Sequence, residues 1–248
     1  MTKHQLWESF LIELNVVLKA SIGVGFIRAG GEFEVARETV ITRGKCTLVV
    51  DGGANSGQWS KRLRKSFPLL PIYSFEPLSD PYISLVKASE DDSNWTPIKK
   101  GLGNSTCQNL MYVSSNESMS SSYKMPTAHL TEFGSVKFLS TELSSVVRLD
   151  SFVELLDESI YLKLDVQGSE WDAIEGCQGV LKNIEAIEVE TTLSSMYEGD
   201  LTHYELIPRI IDLGFMPFAV SPAHRRMDGR CTYMDVILVR PSLLATGR

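Results

Sequence analysis

The chain has no apolar run of the roughly 18 residues that a membrane helix needs, so a span is excluded. It has no C-x-x-C pair either. Its four cysteines, Cys46, Cys107, Cys177 and Cys231, stand far apart, which removes zinc and redox motifs and any disulfide framework, and suits a reducing, cytoplasmic setting. No basic field is present: a formal charge of −7 argues against a nucleic-acid backbone as the main substrate. The local basic run Lys61, Arg62, Arg64 and Lys65 reads as the solvated outer face of a helix. The opening MTKHQLWESFLIELNVVLKA has acids inside its apolar stretch and no small-residue cleavage site, so it reads as an amphipathic helix and not as a signal peptide. Finally, no G-x-G-x-x-G follows a strand, and with it the dinucleotide fingerprint is missing.

What is present is a globular composition, 43% hydrophobic and 22% charged over 248 residues, enough for one domain with a full core or two small ones. The chain is organised around TLVVDGGANSG, residues 47–57: a short apolar strand ending in an acid, then a glycine-rich turn. In QWSKRLRKSF behind it, Trp59, Leu63 and Phe67 recur at helical spacing. Strand, turn and helix form the first unit of a doubly wound α/β sheet, where such folds bind nucleotide-like ligands. Asp51 places negative charge at the strand tip, which repels a pyrophosphate and attracts a cation. S-adenosylmethionine, with an ammonium and a sulfonium, fits that description, and its carboxylate suits the helix N-terminus.

Before this strand, residues 5–20 place Leu6, Phe10, Leu14, Val17 and Leu18 on one helix face, and residues 23–44 read as an irregular entry segment or lid. After it, PIYSFEP is a second strand. It ends in Glu76, followed by Pro77, close to the spacing (roughly 20 residues) at which an acid accepts bonds from a ribose. WTPIKKGLGN reads as a shorter third strand closing on Gly101 to Asn104, on the adenine side. NLMYV and SVVRLD look like strands joined by a serine-rich link, whose SSNESMSSSYKM reads either as a tether or as a loop at the ligand mouth. YLKLD and IEAIEVE are buried strands ending in Asp165 and Glu190. Ser169 with Asp172, and Thr202 with Glu205, have capping-box spacing, and Pro208 is expected to kink or restart the second of these helices. FMPFAV and YMDVILV close the chain as an antiparallel pair turning near Asp228-Gly229.

Taken together, VVDGGANSGQWS, IYSFEP, GLGN, VVRLDSF and YLKLDVQGSEWDAIEGC followed by IEVE resemble the FkbM family of S-adenosylmethionine-dependent methyltransferases, over about residues 45–220. The resemblance implies a class I methyltransferase (Rossmann-like) fold, a seven-stranded, mostly parallel sheet with strand seven antiparallel and helices on both faces. It implies a methyltransferase domain at 46–248 behind an N-terminal helix and lid at 1–45. It also implies S-adenosyl-L-methionine as cofactor and O-methylation of a small-molecule hydroxyl, on a sugar or natural product. Asp51, Gly53, Asn55, Gly57 and Glu76 match the family's cofactor motif and ribose acid, and Asp165, Gly168 and Glu170 its D-x-x-G-x-E signature. Pro77, Gly101 and Ser122 join the cofactor set, Ser122 through a serine pair with Ser121.

An acceptor hydroxyl must lose its proton as the methyl arrives, and three bases stand near the strand tips: Asp165, Glu190 and His203. His203 opens a helix, where the dipole disfavours an imidazolium. His129 and His224 sit in loops without support and read as surface residues. A divalent metal on Asp165, Glu190 and an oxygen from residues 191–203 is the secondary variant. The alternatives to O-methylation are N-methylation of an amine or amide, and a cofactor-binding partner subunit without turnover. A nicotinamide oxidoreductase is disfavoured by the turn itself.

Overall fold

A computed structural model of the chain describes residues 31–127, 136–152, 155, 157–225 and 229–244. The helix expected over 5–20, His129 and Asp228 lie outside the described residues. The chain divides into two compact units, residues 1–35 and 36–248. Of the first, the structure describes 31–35, the opening of helix α1 (Glu32–Arg43).

The second unit is built on a seven-stranded sheet. Its strands are β1 (Leu48–Gly52), β2 (Ile72–Phe75), β3 (Trp95–Ile98), β7 (Ile160–Leu164), β8 (Ile184–Thr192), β9 (Met216–Val220) and β10 (Tyr233–Val239), in the order β3-β2-β1-β7-β8-β10-β9. The first five are parallel, and β10 runs antiparallel to both neighbours. This is the expected architecture. The chain leaves β1 towards β2 and β3 and returns on its other side to β7, so the C-terminal ends of β1 and β7 flank the switch point where such sheets bind ligands.

Three further strands, β4 (Gly101–Leu102), β5 (Cys107–Ser114) and β6 (Phe138–Val147), form a separate sheet in the order β4-β6-β5. The third strand therefore does not close on Gly101 to Asn104. It stops at Ile98, and Gly101 and Leu102 pair with Val146 and Val147 in the second sheet.

The two faces of the large sheet differ in chemistry. Leu48, Val50, Phe75, Leu162, Leu164, Ile187 and Val189 form an apolar face packed under Leu149, Ile174, Cys177, Leu206 and Ile210. Each such side chain contributes about 1.5–3 kcal/mol on burial. These residues alternate with the other face along each strand, which is why the strands were legible. The opposite face carries a buried polar row in register across four strands, Ser74, Asp51, Lys163 and Glu188. Helix α1 and helix α2 (Gln58–Arg64) supply its partners.

That row explains the main misreading of the N-terminal part. Residues 32–43, expected as irregular, form a helix whose buried positions include Arg37 with Val40 and Ile41. An arginine inside the inward stripe removes the apolar period by which an amphipathic helix is recognised. Two smaller expectations also change. Ser169 precedes helix α4 (Glu170–Glu175) without a side-chain cap, and Glu170 reaches back to take the amides of Val166 and Gly168. Helix α5 (His203–Asp212) runs through Pro208 unbroken, while its capping box of Thr202 and Glu205 forms as expected.

Candidate active site

The turn after β1 is shaped by three left-handed residues, Gly53 (φ 77), Asn55 (φ 48) and Gly57 (φ 81). At Gly53 a β-carbon would overlap the carbonyl oxygen of Asp165, so only glycine lets the β1 and β7 turns touch. Gly57 is required for packing: a β-carbon there would lie 2.8 Å from the Trp95 ring. Asn55 organises its surroundings. Its backbone N–H donates to Glu76 Oε2 (2.8 Å), its Oδ1 accepts the Ser56 N–H (2.7 Å), and its Nδ2 donates to the Glu117 carbonyl (2.9 Å).

Glu76 closes β2 with 5% of its surface exposed, beside buried Pro77. Its other oxygen, Oε1, accepts the Leu78 amide at 2.9 Å, so both carboxylate oxygens order the backbone while each keeps a second acceptor site. Burial pushes its carboxyl up to about 7 against those amides. Gly101 lies under the ring of Tyr123, whose hydroxyl pairs with Ser144 Oγ (2.8 Å).

Asp51 is fully buried, and its charge is answered inside the protein. Ser60 Oγ donates to Oδ2 (2.7 Å) and Lys163 Nζ stands 3.2 Å from Oδ1. The expectation that Asp51 itself attracts the donor's cation therefore needs correction, because an ion-paired carboxylate with no exposed surface has no charge to offer. The open charge lies one residue beyond the tip of β7. Asp165, with 36% of its side chain exposed, has Lys163 Nζ at 3.6 Å. Its backbone oxygen abuts Gly53.

Glu190 joins Asp165 through one side chain. Gln167 Nε2 donates to Asp165 Oδ1 and Glu190 Oε2, both at 2.8 Å. Burial first, then the charges of Asp165, Asp235 and Glu170, push the Glu190 carboxyl well above the usual range. Asp235, paired with Glu190 across β10, is raised to about 6 by burial and then by Glu188 and Asp165. The described part of this edge is rich in acids, and a cationic ligand fits it.

The serine-rich link is a loop at this edge and not a tether. Ser120, Ser121 and Ser122 are buried. Ser122 Oγ donates to the Gln167 carbonyl (2.6 Å) and accepts the Lys124 N–H (3.0 Å), so this hydroxyl clasps the loop onto the β7 turn. Tyr197 OH lies 3.1 Å from the Ser120 carbonyl and 2.9 Å from Gln167 Oε1.

His203 sits at the first position of α5 with its edge against Tyr204, ring centroids 5.8 Å apart. Its Nδ1 is buried without a hydrogen-bond partner among the described residues, and burial lowers its pKa, so the neutral imidazole is favoured. Among the described residues no hydrogen bond joins it to Asp165 or Glu190. His224 is exposed, stacked on Tyr233 and bonded through Nδ1 to Thr232 Oγ1 (2.9 Å). For the metal variant, residues 191–203 hold two acids, Glu198, which is exposed, and Asp200. The Asp200 carboxylate is committed to its own turn, taking Ser195 Oγ and the amides of Met196 and Tyr197. Among the described residues no three His, Cys, Asp or Glu gather as a metal cage.

Lys163, Gln167 and Arg37 are the residues that motif reading missed. Lys163 sits inside a run read as apolar, and only the alternation of YLKLD signals it.

A family model described as the methyltransferase FkbM domain matches residues 51–217, from the acid of β1 to β9. The chain belongs to the FkbM methyltransferase family. Membership makes it a methyltransferase, and the donor expected of this family, S-adenosylmethionine, agrees with the acid-rich edge beside the glycine turn. No curated protein matches the chain. Among solved structures it is similar to an rRNA methylase from Streptococcus thermophilus, at 12% identity and a TM-score of 0.46 over 84% of this chain and 94% of that one. A Streptococcus mutans protein described as a methyltransferase, in complex with SAH, matches at 10% identity and TM-score 0.46, over 86% and 100%. The Streptococcus pneumoniae protein Sp1610, described as a tRNA (m1A22) methyltransferase and solved with S-adenosyl-L-methionine, matches at 14% identity and TM-score 0.45, over 87% and 73%. Likenesses this distant leave the substrate to be argued from the FkbM chain's own residues.

Proposed function

We propose that the chain is an O-methyltransferase acting on a hydroxyl of a small molecule, a sugar or a natural product, with Asp165 as the general base. The observation that carries this reading is the Asp165–Glu190 pair, joined through Gln167 beside the glycine turn. S-adenosylmethionine, when bound, supplies an electrophilic methyl group on a sulfonium. The remaining tasks fall to the chain. Glu76 keeps one acceptor site on each oxygen for a ribose hydroxyl, and Asn55 and Leu78 hold that carboxylate in place. The part-exposed carboxylate of Asp165 accepts the acceptor's proton. A base within hydrogen-bond reach contributes roughly 10²–10⁴-fold. Glu190, its carboxyl pushed up by burial and by neighbouring acids, orients the acceptor.

His203 is the reserve base. Its neutral ring supports that role, but it is not part of the joined pair. The net charge of −7 and the acids at this edge favour a neutral or cationic acceptor over a polyanion. The same acids also suit an ammonium, which supports N-methylation as the second reading. Donor binding is tested by thermal unfolding: S-adenosylmethionine should raise the Tm of the intact protein saturably. An unchanged Tm together with no heat of binding would overturn the proposal.

A further inference from the structure

Gln167 occupies the space between the two acids, and the proposed chemistry assigns it no task. Its backbone is left-handed (φ 51). Its carbonyl accepts Ser122 Oγ at 2.6 Å and its Oε1 lies 2.9 Å from Tyr197 OH. Both amide hydrogens are spent on Asp165 Oδ1 and Glu190 Oε2, each at 2.8 Å. Every polar atom of the side chain is thus used, and its orientation is fixed from three directions. Two carboxylates brought this close need a cation, a shared proton or N–H donors between them. Lys163 pairs with Asp165, and no ion pair with Glu190 forms among the described residues.

We propose that Gln167 is a positioning residue that makes the Asp165–Glu190 pair work without a metal, its amide holding the carboxylates where a divalent cation would otherwise bridge them. This rests on the reading of Asp165 and Glu190 as the acceptor site. The spacing supports it. Oxygen ligands of an octahedral magnesium, bound at 2.0–2.1 Å, lie about 2.9 Å from one another. The Gln167 nitrogen stands 2.8 Å from each acid oxygen, close to that ligand-to-ligand distance. An acid in its place would add a third carboxylate beside those of Asp165 and Glu190. The choice of amide or acid at position 167 therefore sets whether this edge takes a metal.

The test uses Mn²⁺ alone on the full-length protein, followed by the free-Mn²⁺ electron paramagnetic resonance signal and by Tm. The native chain should leave the free signal undiminished and its Tm unchanged. Gln167→Glu should deplete the signal by one equivalent and gain a Tm that rises by a few degrees with added Mn²⁺, and a second change, Glu190→Gln, should abolish both effects. Depletion by the native chain that disappears in Glu190→Gln would overturn the proposal. So would a folded Gln167→Glu that takes up no Mn²⁺. If Gln167→Glu does not fold, the comparison of native chain and Glu190→Gln decides alone. Because the probe is the metal on donor-free protein, a failure of S-adenosylmethionine binding would undo the functional reading and leave this result standing.

Discussion

Burying Asp51 at the end of β1 depends on Lys163 and Ser60, which face it from β7 and α2. Removing the cation leaves a carboxylate with no exposed surface and one hydroxyl for company. Lys163→Met is therefore expected to cost about 3–5 kcal/mol in urea unfolding, with Asp51→Asn in the same chain recovering part of the loss. A double variant no more stable than Lys163→Met would contradict the pairing. Glu188 has the same logic on the neighbouring strand, taking the forked Arg37 (2.6 and 2.7 Å), Tyr161 OH (2.6 Å) and Trp59 Nε1 (3.1 Å). Gly53→Ala adds a carbon against the Asp165 carbonyl at a left-handed φ. A Tm lowered by several degrees and loss of the donor-induced shift are expected, measured by thermal unfolding with and without S-adenosylmethionine. At this scale sequence reading reached residues that obey a motif, such as Gly53, Asn55 and Glu76. It missed Arg37, Lys163 and Gln167, whose meaning lies in contacts between segments far apart in the chain. Nor does any motif signal that Ser122 clasps a loop or that Gly101 makes room for Tyr123.

Among the elements, legibility followed the purity of the pattern. β1, β7 and β8 are short buried runs with acids at their ends, and the parallel core was read from them directly. The opening of α5 was equally plain, because Thr202 and Glu205 satisfy each other reciprocally. Thr202→Ala is expected to cost about 1 kcal/mol by chemical denaturation, and no change in the midpoint would remove the capping box from the account. Helix α1 was illegible because its inward stripe carries Arg37. The serine-rich loop was undecidable by composition, since its order comes from Asn55, Gln167 and Tyr197 on other elements. The second sheet was missed as a sheet. Its two-residue strand β4 is too short to carry a period, and β5 leaves its first four residues exposed.

For the whole molecule, the acids at the ligand edge link stability to pH. Burial raises Glu76 and Glu170 from 4.5 to about 7 and Asp235 from 3.8 to about 6. The native state therefore holds more protons than the unfolded chain between about pH 4 and 7. These groups make stability fall as pH rises through that window, with the full cost in place above about pH 7. Donor-free protein should melt at a lower temperature at pH 8 than at pH 5.5. A bound cation favours the ionised acids, so S-adenosylmethionine should bind more tightly at pH 8 than at pH 5.5, as calorimetry would show; the reverse trend would remove these acids from the donor site. The central claim is transfer of the methyl group to oxygen with Asp165 as base. It is tested most directly by incubating native protein and Asp165→Asn with metabolite extract and S-adenosylmethionine labelled in its methyl group, and following the labelled product by mass spectrometry and NMR. Label is expected on an ether oxygen, formed about 10²–10⁴-fold more slowly by Asp165→Asn. Label on nitrogen, or equal rates from the two proteins, would contradict it.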